Sequence, residues 1–137
     1  MLIRLFYVSE IVQPLTAADV QVILGASQMK NRRADITGML VQTADHFLQV
    51  IEGRAADVKK LMGRIARDAR HRAVREVLEA TSAKRLFPTW SKGLALCPTL
   101  SPELEELHRV GTLGFDEAIS LMERANSRRT AGAAYWS

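Results

Sequence analysis

The chain has 137 residues, 47% of them hydrophobic and 25% charged, which suits one globular domain large enough to bury its own core. No apolar run is long enough to cross a bilayer, and Met1 to Ser9 is too short and too soon polar for a signal peptide. The one cysteine, Cys97, excludes an internal disulfide and a thiolate zinc cluster, so a reducing cytoplasm is the expected compartment. A net charge of +4 is compatible with nucleic acid, but the cations are scattered. The nearest cluster, Lys30, Arg32 and Arg33, follows a predicted helix, whose dipole it offsets.

Leu2 to Ser9 (LIRLFYVS) reads as a strand with Ile3, Leu5 and Tyr7 on one face and Arg4, Phe6 and Val8 on the other. The first set is the more apolar and is expected to face the core, which makes Tyr7 a candidate buried phenol. Thr16 and Asp19 resemble a capping box, so a helix is predicted from about Ala17 to Gln28. Ile36 to Gln42 and His46 to Glu52 form a predicted hairpin around Thr43-Ala44-Asp45. In its second arm Phe47, Gln49 and Ile51 share a face, opposite Leu48 and Val50. Gln49 thus sits between apolar neighbours, where a primary amide costs several kcal/mol unless its donors and acceptors are met.

A second helix is predicted over about Ala55 to Ala69, burying Val58, Leu61, Met62 and Ile65. Ala73 to Thr81 reads as a fourth strand. Pro88 precedes a fifth, Trp90 to Leu96, in which Lys92 shares a face with Trp90, Leu94 and Leu96. That lysine must be paired, lie at a rim, or lose basicity. Ser101-Pro102 is a helix start, with serine as the cap. Gly111 to Gly114 ends that helix, and Phe115, Ala118, Ile119 and Met122 line another to about Arg124. Ser127 to Ser137 reads as a tail. The order β-α-β-β-α-β-β plus two helices predicts an α+β ferredoxin-like sandwich with the first and third strands adjacent in the centre. Tyr7 and Gln49 are then neighbours.

A buried Tyr and Gln on central strands fit a structural hydrogen bond, a hydrolase, or a ligand held through Gln49. No His, Ser or Cys stands where a nucleophile and base can be argued. His46, His71 and His108 lack metal-ligand spacing and read as surface or capping residues.

Several segments together resemble a BLUF domain, the blue-light sensor that uses FAD. They are LFYVS with Tyr7; SQMKN ending at Asn31; DITGML and HFLQVIEG with Gln49; RIARDARH with Arg64, Asp68, Arg70 and His71; and RLFPTWSKG with Trp90. They span roughly Leu2 to Leu96 in the family's order and spacing. The resemblance implies a flavin, FAD with FMN or riboflavin as alternatives, placed near Tyr7 and Gln49. Asn31 would bind its polar edge, Ile23 and Ile65 its faces, and Arg64, Asp68 and Arg70 its edge or phosphate side. An Asp–Arg ion pair is the plain alternative for the last three.

Two positions depart from the family. Lys92 replaces the methionine of a usual WSMG, and Lys30 stands where Asn or His is common. The resemblance therefore implies a photosensor over 1–97, a helical output segment over 98–137, and no enzymatic activity. It also implies signalling through Trp90, Lys92 and the C-terminal helices to a downstream protein, with a homodimer or higher oligomer compatible and neither nucleic acid nor membrane as partner. The competing readings are a ferredoxin-like RNA-binding module, stacking bases on the outer face of the sheet, and a light-insensitive flavin-binding protein.

Overall fold

Alternation and β-branched or aromatic content draw LIRLFYVSEI into β1 (Leu2–Ile11), and the same forces form β2 (Thr37–Gln42) and β3 (His46–Arg54). The computed structural model describes residues 2–12, 35–85 and 94–127. Its remaining elements are α1 (Ala55–Ala66), β4 (His71–Ser82), β5 (Leu94–Leu96), a 3-10 turn at Pro98–Leu100, α2 (Ser101–Val110) and α3 (Phe115–Ser127). The predicted helix over Ala17 to Gln28 and the start of the predicted fifth strand lie outside the described residues.

The strands join in one sheet, ordered β4-β1-β3-β2-β5. The first four are antiparallel, and β5 adds in parallel beside β2. This is the expected α+β ferredoxin-like arrangement with β1 and β3 in the centre. At the hairpin turn the Thr43 amide donates to His46 O (3.0 Å) while the His46 amide donates to Thr43 Oγ1 (3.2 Å). A polar turn closed on itself in this way fixes the register of β3 against β2.

Both faces of the sheet are buried, where the sequence suggested one core face. On the first, Ile3, Leu5, Tyr7 and Ile51 pack with Val58, Leu61 and Met62 of α1. On the second, Phe6, Val8, Leu48 and Val50 lie beneath Leu104 and Leu107 of α2 and Ala118, Leu121, Met122 and Ala125 of α3. The C-terminal helices therefore cover the face that a base-stacking RNA module would need open. Arg4, expected on the more polar face, is buried there. Its Nε donates to Glu52 Oε2 at 2.9 Å, its Nη2 donates to Ser82 Oγ and Lys84 O, and its guanidinium lies 5.6 Å from the Phe115 ring centre. A guanidinium survives burial because a carboxylate and carbonyls meet its donors.

Helix ends shift for local reasons. Leu100, not Ser101, occupies the cap position of α2, because the preceding 3-10 turn delivers the chain already curled. Its other end is closed by Gly111 at φ 82°, whose amide donates to Leu107 O at 2.8 Å. Helix α1 stops at Ala66, three residues before the predicted end, and α3 runs on past Arg124 because Ala125 is still buried against the sheet. Phe115, expected in its apolar stripe, is instead 45% exposed. Among the described residues no helix is long and apolar enough to cross a membrane.

Candidate functional site

Antiparallel pairing places Tyr7 directly opposite Gln49. The phenol O–H donates to Gln49 Oε1 at 2.6 Å, and both side chains are buried on the α1 side of the sheet. The partner that Gln49 requires is thus the residue across the ladder. On the other flank of Tyr7 the β1–β4 register slips between Phe6 and Tyr7, a local irregularity of the kind that re-aims side chains at functional positions.

Burial, and secondarily the Asp68 carboxylate, push the Tyr7 phenol above its usual range. Tyr7 is therefore neutral across the physiological range and keeps the proton it donates. With Oε1 accepting that proton, the amide NH2 of Gln49 is left as a donor.

His71 closes the site from β4. Its ring meets the Tyr7 and Phe47 rings edge-on, each at 6.1 Å between centres. Nε2 lies 2.6 Å from Ile65 O and Nδ1 lies 2.7 Å from Ser9 Oγ. Because a carbonyl only accepts, Nε2 carries a hydrogen and donates it to Ile65 O, while Nδ1 shares a hydrogen bond with the Ser9 hydroxyl. The surface reading of His71 and His46 is corrected: both are buried. His71 does cap, since it holds a carbonyl in the last turn of α1. The Ser9–His71 link was missed, although the signal for it existed. Ser9 follows Tyr7 by two along β1, and a hydroxyl on a core face needs a partner for the same reason as Gln49.

The remaining predicted residues divide in two. Ile65 is half-buried against the Tyr7 cluster. Arg64, on the same helix, has a buried Nε with no hydrogen-bond partner among the described residues. Asp68 and Arg70 are paired with each other, Nη1 to Oδ2 at 2.9 Å, at the end of the turn after α1. Ile23, Lys30, Asn31, Trp90 and Lys92 lie outside the described residues. Among those described, no group of His, Cys, Asp and Glu could hold a metal. A half-buried arginine with an orphaned Nε, on the helix covering a Tyr–Gln pair, suits a ligand that presents an acceptor atom.

The model of the family described as BLUF, sensors of blue-light using FAD, matches residues 2–93. The chain is 31% identical over 113 residues to photoactivated adenylate cyclase subunit beta of Euglena gracilis, covering 77% of this chain and 13% of that protein. It is 31% identical over 87 residues to the blue light- and temperature-regulated antirepressor BluF of Escherichia coli, covering 64% and 22%. The chain thus spans less than a quarter of either relative's length. Among solved structures, the dark state of BlrB, a BLUF protein, superposes with a TM-score of 0.72 at 30% identity, covering 90% of this chain and 93% of that one. Klebsiella pneumoniae BlrP1 with FMN and cyclic diGMP gives 0.68 at 26%, covering 93% and 35%.

Proposed function

The chain belongs to the BLUF family of blue-light sensors, and from that premise we propose that it is a photoreceptor, not an enzyme, whose light reaction runs through Tyr7 and Gln49. The observation that carries the proposal is the buried 2.6 Å bond from the Tyr7 hydroxyl to Gln49 Oε1 on adjacent central strands. In this reading residues 1–97 are the sensor and 98–137 the output segment. FAD is the cofactor, with FMN or riboflavin as alternatives that the mass of the released flavin distinguishes. Asn31 and Lys30 would hold its polar edge, Ile23 and Ile65 its faces, and Arg64, Asp68 and Arg70 its edge or phosphate side.

When bound, the flavin supplies a strongly oxidising excited state on absorbing blue light. Tyr7 stores a proton in the dark, because burial keeps the phenol neutral. A phenol that gives up an electron becomes a strong acid, and the base in contact with it is Gln49 Oε1. Gln49 accepts at one end of its amide and donates at the other, so it can relay the proton. It can also finish as a tautomer or rotamer with donor and acceptor exchanged. Its neighbours Leu48 and Val50 point to the opposite face of the sheet and pack in the cluster formed with α2 and α3. A shift of β3 that accommodates the new amide state therefore presses on the C-terminal helices. Trp90 and Lys92 extend this relay toward β5, and the output is a changed non-covalent contact with a downstream protein.

The test is an absorption spectrum of the purified protein in darkness and after blue illumination. A structured flavin band that moves to the red and returns in darkness is expected. A colourless protein that takes up no added FAD overturns the proposal. A bound flavin with no shift would instead assign a light-insensitive flavin-binding protein.

A further inference from the structure

Helices α2 and α3 border a groove of about 670 Å³, floored by the buried Leu107 and Leu121. Leu107, Val110, Leu113 and Leu121 line it, and Val110 is 48% exposed, an apolar side chain that folding alone leaves in water. The acidic groups along it differ in their commitments. Glu103 is held by Arg124 (3.0 Å), and Glu106 is held by Arg109. Asp116 and Glu117, in the first turn of α3, have no ion-pair partner among the described residues. Charge is also segregated along the chain. Pro98 to Ser127 carries six carboxylates and two arginines, a net −4 within a total of +4. That potential repels nucleic acid and anionic membrane, and it attracts a cationic polypeptide.

We propose that this groove docks a basic amphipathic helix of a partner protein, with apolar side chains between α2 and α3 and Lys or Arg against Asp116 and Glu117. Two helices with an apolar seam and two carboxylates at its edge that no described cation pairs match the helix-in-groove mode of peptide recognition. The groove is also joined to the sensor. Phe115, the first residue of α3, lies over Arg4, and Arg4 is bonded to Glu52 on the strand that carries Gln49. Regulation of docking by light rests on the photoreceptor reading; the docking itself does not.

The probe is a synthetic helical peptide with Leu on one face and Lys on the other, with a Leu/Glu peptide of the same pattern as control. Both are titrated into the full chain in darkness and followed by amide chemical shifts. The Lys peptide is expected to bind and to shift α2 and α3 amides. Its affinity is expected to fall at least tenfold in Asp116→Lys/Glu117→Lys, to fall with added salt, and to fall again in Val110→Asp. All three positions are exposed, and amide dispersion verifies that the variants fold. The proposal is overturned by equal binding of the two peptides, by no binding, by a Lys double variant that binds as the parent does, or by a dimer that Val110→Asp converts to monomer, which would give the groove to a second copy. Peptide binding without a light-induced shift would remove the photoreceptor reading and leave the docking site standing.

Discussion

Replacing Tyr7 by Phe removes one oxygen and leaves the ring, so the cavity and packing terms stay near zero and the polar terms decide. Gln49 Oε1, 2.6 Å from that oxygen and buried, loses its donor, which costs about 1–3 kcal/mol for an unsatisfied buried acceptor. A domain of this size has roughly 5–15 kcal/mol to lose, so the variant folds. Urea denaturation of the flavin-free protein reads that loss. The light-dependent red shift is expected to vanish while flavin remains bound, because Gln49 no longer has a proton source. A second signature separates the phenol from mere packing. The unfolded phenol releases its proton near the ordinary value of 10.0, whereas the folded one holds it to higher pH. Stability conferred by the neutral phenol is thus fully present below pH 10 and lost as pH rises above it, by up to about 1.4 kcal/mol per unit. In Tyr7→Phe that alkaline slope should flatten. A variant that keeps its red shift would refute the assignment of Tyr7 as the proton donor, whatever its stability.

Three further outcomes are expected. Arg4→Met removes the arginine from the buried Glu52 carboxylate and should lower stability in urea melts by about 1–3 kcal/mol, the scale of a lost charge-assisted hydrogen bond, while Arg4→Met/Glu52→Met should recover part of that; a double variant no better than the single would show that the pair is not the term at stake. Gly111→Ala forces a β-carbon at φ 82°, 2.6 Å from Arg75 Cζ, and displaces the Arg75 guanidinium from His108 O and Arg109 O. A loss of roughly 2 kcal/mol is expected from the left-handed backbone and the broken clamp together, and a thermal melt indistinguishable from the parent would contradict it. Lys92→Met is expected to change the rate of dark recovery while preserving the red shift; an unchanged recovery would remove Lys92 from the signal relay.

The Tyr7–Gln49 contact was legible although the two residues lie 42 apart. Alternation along HFLQVIEG puts Gln49 on an apolar face, the predicted topology sets Tyr7 beside it, and a buried amide demands a partner. The β1–β3 register then makes Tyr7 and Gln49 direct neighbours. The second face of the sheet was not legible in the same way. Arg4 alternates with Phe6 and Val8, and an arginine in that set reads as a sign of solvent. What overrules it is Glu52, 48 residues away, which arrives on the same face only once β1 and β3 are paired. Phe6, Val8, Leu48 and Val50 carried the opposite hint, since strands apolar on both faces are covered on both. Nothing within the strands identified α2 and α3 as the cover.

That second cover changes what the Tyr7–Gln49 pair can do. With one face buried, a rearranged amide on β3 would be felt by α1 and the ligand alone. With both faces buried, β3 is clamped between two packed layers. Gln49 points into one layer, and Leu48, Val50 and Glu52 point into the other. A close-packed layer has little slack to absorb displacement, so the proposed light reaction predicts that a change of hydrogen bond at Gln49 is felt through the sheet at α2 and α3. The Arg4–Glu52 pair and the Phe115 ring near it link β1 and β3 to the first turn of α3. Coupling between the light reaction and the acidic groove therefore predicts that Phe115→Ala leaves the red shift intact and removes any light dependence of peptide binding, a result read by repeating the Lys-peptide titration in darkness and under blue light.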